Sequence, residues 1–202
     1  MPFDNSGNYT PPAGATSAAP GQVIASATWN SIHSDLATAL TTLGQCNAIN
    51  NVNTTQGATI ANTSETDLIT IALPANLLDV NGNGIRLTAF GTCPATATTK
   101  RMRLYFGATV VSDTTAVTIN NGAWKLDAII IRTGATAQIA QGTEFSTQAA
   151  GPSTVVSSST QFGTPAETLA NAITVKITGQ NGTANANDIV ARGLMYEPVN
   201  MA

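Results

Sequence analysis

The chain contains a single histidine, His33, and imidazole is the side chain that most often serves as a general base near neutral pH. In a nucleophilic triad this base must be oriented by a carboxylate and must face a serine or a cysteine. Asp35 follows two residues later, and residues at that spacing do not face each other on a helix. We therefore interpret His33 as a polar residue on the flank of a helix, available to bond a neighbouring subunit, and not as a catalyst.

A second candidate is the run DVNGNG, from Asp79 to Gly84, which matches the first half of a calcium-binding loop. The complete loop needs a bidentate glutamate at its twelfth position, and here that position is Phe90. Asparagine and glycine also suit a tight turn, because they tolerate positive φ angles. We predict a turn between two strands at this run, and a metal site is the less favoured alternative.

Paired carboxylates could perform glycoside hydrolysis if the fold brought two of them together. Five acidic residues qualify by type alone: Asp113, Asp127, Glu144, Glu167 and Asp188. No motif or spacing links any two of them. We therefore predict a protein that is not an enzyme and that carries no cofactor or metal ion.

The two cysteines, Cys46 and Cys93, allow one disulfide without requiring it. The N-terminal run MPFDNSGNYTPPAGATS has neither a basic start nor an apolar segment, so no signal peptide is expected. Without a signal peptide, free thiols are favoured over a disulfide. The sequons at Asn62 and Asn181 are expected, for the same reason, to serve as turn residues.

Charged residues make up only 9% of the chain, against about 25% in an ordinary soluble protein. Amides and hydroxyls cost less to bury against a neighbour than charges do, so this composition suits a protein that packs in many copies. The net charge is -3 and the cations are scattered apart from Lys100, Arg101 and Arg103, which disfavours nucleic acid as a partner. No apolar run reaches the length of about 18 residues that a membrane span needs, so no membrane contact is expected.

The elements that must position these residues begin with an N-terminal arm and a helix. Residues 1–25 are rich in proline and glycine, which disfavour a helix and indicate an extended arm. In the following run, TWNSIHSDLATAL and the residues just beyond it, apolar side chains recur at helical spacing. This stripe consists of Trp29, Ile32, Leu36, Leu40 and Leu43. We predict one short amphipathic helix that ends near Gly44, and a stripe that packs against copies of itself in a trimer.

Residues 46–64 are rich in asparagine and threonine, and we interpret them as a linker with one or two short strands. From Glu65 onward apolar and polar residues alternate, which is the period of a half-buried strand. In "AWKLDAIIIR" this alternation places Trp124 on the apolar face, so we predict that its ring belongs to the core and is not a ligand platform. For Tyr105 and Tyr196, exposure and an interface both stay open.

The remaining chain reads as a series of short strands and turns. The run NNG, from Asn120 to Gly122, predicts a hairpin. Further strands are predicted at 135–140, 143–148, 153–158, 167–178 and 188–196. Eight to ten strands without a strong helix indicate a mainly β fold, an antiparallel β-sandwich or jelly roll over residues 65–202.

Two parts of the sequence resemble bacteriophage proteins. The segment YTPPAGATSAAPGQVIASATWNSIHSDLATALTTLG resembles the N-terminal segment of tail-fibre and other virion proteins of tailed phages, in which a proline-rich arm leads into a short helix. The residues that match the W-N-x-I-x-x-D-L pattern are Trp29, Asn30, Ile32, Asp35 and Leu36. Stretches such as ETDLITIALPANLL, TTKRMRLYFGAT and NNGAWKLDAIIIRTGATAQ are similar to a β-domain of phage structural proteins.

The resemblance implies a homotrimeric virion protein with an attachment segment (residues 1–45) and an outward β-domain, assembled in the bacterial cytoplasm. The expected attachment residues of the arm are Tyr9, Pro11, Pro12 and Pro20. No long shaft is visible, which favours a head-decoration, cement, collar or short-fibre role, with capsid, neck or tail proteins as partners. The alternative is a receptor-binding fibre whose β-domain recognises a glycan on the host surface.

Overall fold

The computed structural model describes residues 34–36, 51–148 and 154–199. The chain divides into two compact units, Met1–Ile49 and Asn50–Ala202. In the first unit, residues 34–36 are helical, and they lie inside the predicted helix. The other predicted residues of this unit fall outside the described part of the chain: Tyr9, Pro11, Pro12, Pro20, Trp29, Ile32, His33, Leu40, Leu43 and Cys46.

The second unit is built from β-strands, as the alternating sequence pattern predicts. The described strands are β1 (Asn51–Asn53), β2 (Gly57–Ala58), β3 (Thr66–Leu73), β4 (Gly84–Cys93), β5 (Thr99–Phe106), β6 (Thr109–Asp113), β7 (Val117–Thr118), β8 (Gly122–Gly134), β9 (Ala137–Gln148), β10 (Thr154–Gly163), β11 (Ile173–Asn181) and β12 (Val190–Val199). All of the pairings described between them are antiparallel.

The strands form two sheets. The seven-stranded sheet has the order β1-β12-β4-β8-β9-β10, with β2 also paired to β12. The five-stranded sheet has the order β3-β11-β5-β6, with β7 also paired to β5. The segment interpreted as a linker, residues 46–64, thus supplies β1 and β2 to an edge of the larger sheet.

The order of pairing is nested. β1 pairs with β12, β3 with β11, β4 with β8, and β5 with β6. A long hairpin rolled up on itself produces this nesting, with its successive pairs falling alternately into the two sheets. The predicted β-sandwich is confirmed, and its strand order is that of a jelly roll. The hairpin of β9 and β10 is inserted between β8 of the third pair and β11 of the second pair, and it widens the larger sheet.

Alternation along the strands places one face of each sheet in a shared core. The predicted apolar faces are buried as expected, and their residues are Ile69, Ile71, Leu73, Ile85, Leu87, Ala89, Met102, Leu104, Phe106, Trp124, Leu126, Ala128, Ile130, Ile173, Val175 and Ile177. Trp124 is a core residue, as predicted, and Tyr196 is buried as well. Among the described residues, no helix is long and apolar enough to cross a bilayer.

The predicted hairpin at NNG is wrong. β7 pairs with β5, whereas β8 pairs with β4 and β9, so the turn carries the chain from one sheet to the other. Asn121 has a φ of 50°, which asparagine tolerates in a tight reversal. The motif correctly marks a reversal, but pairing is decided by the neighbours of the strands, and Ile119 between them is fully buried in the core.

The run from Asp79 to Gly84 forms the predicted turn between β3 and β4. Gly82 has a φ of 94° and donates its N–H to the carbonyl of Arg132 at 2.9 Å. The guanidinium of Arg132 in turn donates to the Leu78 carbonyl at 2.7 Å and to Asn81 Oδ1 at 3.1 Å. The asparagine oxygen that a calcium ion would need is therefore already used to hold the turn on β8.

Candidate functional site

The candidate site is the outer face of the seven-stranded sheet, where antiparallel register lines up side chains in rows across five strands. The central row contains Met195, Thr88, Asp127, Thr143 and Thr160. The row on one side contains Gly193, Phe90, Lys125, Phe145 and Ser158. The row on the other side contains Glu197, Arg86, Ile129, Gln141 and Phe162. We call these three rows the open face.

A groove of about 600 Å³ lies on the open face. Nine of its lining residues come from the three rows: Arg86, Thr88, Lys125, Asp127, Ile129, Gln141, Thr143, Met195 and Glu197. The tenth is Ala128 of β8. Neighbouring rows are two residues apart, or about 7 Å at the usual rise of a strand, so the two flanking rows are about 14 Å apart. Five strands spaced by about 4.8 Å give the central row a length of about 19 Å. These dimensions suit an elongated ligand that lies across the strands.

Asp127 occupies the middle of the groove and is held there by two contacts. Thr88 Oγ1 donates a hydrogen bond of 2.6 Å to Asp127 Oδ1, and Lys125 Nζ lies 2.8 Å from Asp127 Oδ2. An ionised carboxylate has about four acceptor positions, so these contacts leave others directed to solvent. The groove therefore contains a fixed acceptor with a cation beside it.

The charges of the groove balance. Arg86 pairs with Glu197 at 3.9 Å across β4 and β12, and Lys125 pairs with Asp127. Both Arg86 and Glu197 are about half exposed, so their pairing is loose and contributes little to stability. With two cations matched by two carboxylates, the groove does not attract a strongly charged ligand of either sign.

Three uncharged polar side chains of the open face form no hydrogen bond within the described part of the protein. Gln141, Thr143 and Thr160 are exposed, and their side chains form no hydrogen bond to another described residue. An amide provides both donors and an acceptor, and a hydroxyl provides one donor and two lone pairs. These groups are available to a ligand without first breaking a contact within the protein.

Aromatic rings flank the central row. Phe90, Phe145 and Phe162 have exposed fractions of 36%, 46% and 74%, although phenylalanine is usually buried. Phe90 reaches over β12, where a Cβ on Gly193 would lie 2.7 Å from its Cζ. A residue with a side chain at Gly193 would displace this ring, so glycine there leaves room for Phe90 over the strand.

The outer face of the five-stranded sheet has a different character, and we call it the paired face. Its charged residues are Glu65, Asp67, Arg101, Arg103, Asp113 and Lys176. Glu65 accepts hydrogen bonds from Tyr105 at 2.8 Å, from Thr178 at 2.5 Å and from Arg103 at 2.5 Å. Each of these charges has a partner, so the paired face has few groups left for a ligand.

Ionisation on the paired face follows from these contacts. Burial alone would raise the pKa of Glu65, but hydrogen bonds from Thr178 and Tyr105 and the charges of Arg103 and Lys176 outweigh it and lower that pKa. Burial likewise opposes ionisation of Asp113, yet its contacts with Arg101, Thr115 and Arg103 lower its pKa. Burial and the hydrogen bond to Glu65 raise the pKa of Tyr105 to about 12. Both carboxylates are therefore stabilised as anions by the fold.

Between the sheets lies a buried ion pair. The side chains of Lys100 and Asp188 are fully buried, and Lys100 Nζ is 3.6 Å from Asp188 Oδ2. The ammonium also donates to the carbonyls of Thr96 and Thr98 at 3.0 Å, and the hydroxyls of these threonines donate to Asp188. With its donors and acceptors used in this way, the pair is a structural element of the core.

The other acidic residues singled out by type are dispersed. Glu144 is a buried residue of β9 and accepts a hydrogen bond from Ser157 at 2.6 Å. Glu167 accepts the N–H of Ala108 at 2.7 Å and fastens the turn between β5 and β6. With Asp127 on the open face, Asp113 on the paired face and Asp188 in the core, the five carboxylates each have a different set of partners.

Cys93 is a free, buried thiol at the end of β4. Burial raises its pKa to about 12, although the nearby charge of Lys100 opposes that change. A thiol with so high a pKa has almost no thiolate at neutral pH and is a poor nucleophile.

The sequence pattern predicts which residues of a single strand share the open face, but it does not predict most of that face. Alternation places Arg86, Thr88 and Phe90 on one side of β4, and Lys125 and Asp127 on one side of β8. Nothing in the sequence shows that these two strands adjoin, or that the inserted hairpin continues the rows with Phe145 and Phe162. The available signal was the apolar residues at polar positions of alternating strands, which mark an exposed apolar patch.

Comparison with known proteins finds only a distant structural similarity. No family model matches the chain, and no curated protein matches it. Among solved structures, the chain is similar to the CBM2 module of an evolved Dit from Lactobacillus casei BL23 phage J-1, with 11% identity and a TM-score of 0.31. That match covers 63% of this chain and 67% of the other. So distant a likeness does not bear on the function of this protein.

Proposed function

We propose that the protein is a non-enzymatic structural component of a tailed-phage particle. In this proposal it is a homotrimer of the decoration, cement, collar or short-fibre type. Residues 1–45 attach it to capsid, neck or tail proteins, and the jelly roll projects outward.

The observation that carries the proposal is the jelly roll that the described strands form. Its strands run from Asn51 to Val199, and its buried apolar core comes from residues of that same range. In this proposal the preceding segment, residues 1–45, has a separate role in attachment. The sequence of that segment resembles the attachment segments of virion proteins, which supports attachment as the role.

Leu36 supports a contact between subunits. It lies in the described helical residues, and 56% of its side chain is exposed. A large apolar side chain at the midpoint of the predicted stripe loses this exposure if a neighbouring copy packs on it, and burial of a leucine is favourable by about 1.5 to 3 kcal/mol. The low charge of the chain is consistent with dense packing of copies in a particle.

Attachment is tested by deleting residues 1–25 and complementing a phage that lacks its own copy of the gene. We expect the truncated protein to accumulate in a folded state and to be absent from purified particles. Particles that carry the truncated protein at the occupancy of the full chain would contradict attachment through the arm.

Trimerisation is tested separately by light scattering of the purified full chain. The expected mass is three times 20.6 kDa, and Leu36→Asp should shift it toward that of the monomer because a carboxylate replaces an apolar contact. His33→Ala is the matched control in the same predicted helix, and we expect it to leave the mass unchanged. A full chain that is a stable monomer would exclude the trimer.

A further inference from the structure

We propose that the open face binds a neutral, linear glycan that lies across the strands along the central row. This inference goes beyond the structural role, which requires no ligand at this face. It depends on the arrangement of the three rows, in which mostly polar side chains line the groove and phenylalanine side chains lie on the same face, in the rows beside it.

Sugars have two surfaces that a protein must match at once. Their hydroxyls both donate and accept hydrogen bonds, so the floor of a site needs fixed acceptors together with donors. Their C–H faces are apolar and pack on flat aromatic rings. A face with only one of these properties suits other ligands better, whereas the open face has both.

The floor supplies the polar contacts. Asp127 is a positioned acceptor, because Thr88 and Lys125 hold its carboxylate from two sides. Lys125 is half exposed and provides a donor next to it. Thr143, further along the row, adds a hydroxyl with no partner among the described residues. A carboxylate beside an ammonium can bind two neighbouring hydroxyls of one sugar ring.

The flanks supply the apolar contacts. Phe145 lies on the Lys125 side of the central row, and Phe162 and Ile129 lie on the other side. Phe162 is the most exposed of the large apolar side chains described, at 74%. Both rings belong to the hairpin of β9 and β10, so this insertion extends the open face beyond the eight nested strands.

Charge selects a neutral glycan over an acidic one. Both cations of the groove are already paired with carboxylates, Arg86 with Glu197 and Lys125 with Asp127. An acidic polysaccharide would bring its own carboxylates next to Asp127 and Glu197, where like charges repel. A neutral chain makes the same hydrogen bonds without that repulsion.

A second copy of this protein is the competing occupant of an exposed apolar face. The centres of protein interfaces are depleted in charged residues. Here the Lys125 and Asp127 pair lies on β8, the middle of the five strands, and the exposed rings lie on strands to either side. This arrangement favours a glycan, and the experiment below separates the two.

The test is affinity electrophoresis of the full chain in native gels that contain soluble neutral polysaccharides: a glucan, a galactan, a mannan and a rhamnan. Polygalacturonate provides the anionic comparison. We expect retardation by at least one neutral polymer and none by polygalacturonate. Retardation by polygalacturonate alone, or by none of the polymers, would overturn the proposal.

Two variants place the binding on the open face. Asp127→Asn keeps the shape of the side chain but removes the charged acceptor, and we expect the dissociation constant to rise about tenfold or more. Asp67→Asn is the matched control, because Asp67 is an exposed, lysine-paired aspartate on the paired face. Equal binding by both variants and the unchanged chain would overturn the assignment of the site.

The aromatic flanks are tested with Phe145→Ala and Phe162→Ala in the same gels, together with light scattering. We expect each variant to bind the retarding polymer at least about tenfold more weakly and to keep the mass of the unchanged chain. A change of mass would instead assign this face to contact between copies. Incorporation into particles should be normal in all of these variants, so failure of glycan binding is distinguishable from failure of the structural role.

Discussion

The two outer faces of the sandwich use their polar side chains in opposite ways. On the paired face, the single residue Glu65 has three side-chain hydrogen-bond partners, and Asp113 forms ion pairs with two arginines. On the open face, Gln141 and Thr143 have no partner among the described residues, and three phenylalanine rings face solvent. The same fold thus has one face completed by its own side chains and one face left available.

This difference separates stability from binding. Groups that are paired within the fold contribute to its free energy of unfolding, and their removal leaves partners unsatisfied. Exposed groups without partners contribute little to folding. We therefore expect substitutions in the five-stranded sheet to change stability and substitutions on the open face to leave it nearly unchanged.

The largest effect is expected for Lys100→Met, inside the five-stranded sheet. The variant leaves Asp188 as a buried charge without its ammonium partner, which typically lowers the free energy of unfolding by about 3 to 5 kcal/mol. Lys125→Met is the matched control on the open face, where the side chain is half exposed, and we expect a change within about 0.5 kcal/mol. Urea unfolding measures both, and a Lys100→Met variant as stable as Lys125→Met would contradict the structural role of the buried pair.

A smaller loss is expected for Glu65→Ala on the paired face. The substitution deprives Tyr105, Thr178 and Arg103 of a shared acceptor, and we expect a loss of about 1 to 3 kcal/mol. Glu197→Ala removes the loose pair with Arg86 on the open face and should cost about 0 to 1 kcal/mol. Chemical unfolding of the two variants side by side measures the difference, and equal losses would remove the distinction between the faces.

Because of the carboxylates on the paired face, the stability of the fold should depend on pH in the acid range. The pKa values of Glu65 and Asp113 are lowered below their ordinary values of 4.5 and 3.8. A lowered pKa in the folded state gives stability that is fully present above the ordinary value and is lost as the pH falls through the folded value. Thermal unfolding midpoints should therefore be steady well above pH 4.5 and decline below it.

The double variant Glu65→Gln with Asp113→Asn is the control for this acid dependence. Because it cannot titrate at these positions, its unfolding midpoint should decline less steeply below pH 4.5 than that of the unchanged chain. Parallel curves for the two proteins would show that the acid sensitivity originates elsewhere.

The smallest effect on stability is expected for Phe145→Ser combined with Phe162→Ser. Both rings are substantially exposed, so their removal should change the free energy of unfolding by no more than about 0.5 kcal/mol per site. The same variant should lose binding to any neutral polysaccharide that retards the unchanged chain. A loss of stability above 2 kcal/mol, roughly that of burying one such side chain, would mean that the rings serve the fold.

Local patterns predicted the strands and their buried faces well. Alternation identified the inward residues of β4, β5, β8 and β11, because one-sided burial is a property of each strand by itself. The turn at Asp79 to Gly84 was also local, since it depends on the φ angles that asparagine and glycine tolerate.

The parts that could not be predicted are those that depend on pairing between distant strands. Lys100 and Asp188 are 88 positions apart, and Thr88 and Asp127 are 39 positions apart, yet each pair is in contact. Phe162 fell outside the predicted strand at 153–158, because β10 continues to Gly163 along its partner β9. The prediction of a hairpin at NNG was wrong for the same reason, since turn residues mark a reversal without specifying which strands pair.

The most direct test of the open face is a nuclear magnetic resonance titration of the full chain with a hexasaccharide of the neutral polymer that retards it in gels. Backbone amide shifts should change along the central row, at Thr88, Asp127 and Thr143, and along Phe145 and Phe162 beside it. The amides of Glu65, Arg103 and Lys176 on the paired face should not move. Shifts confined to the paired face, or none at saturating sugar, would contradict the account.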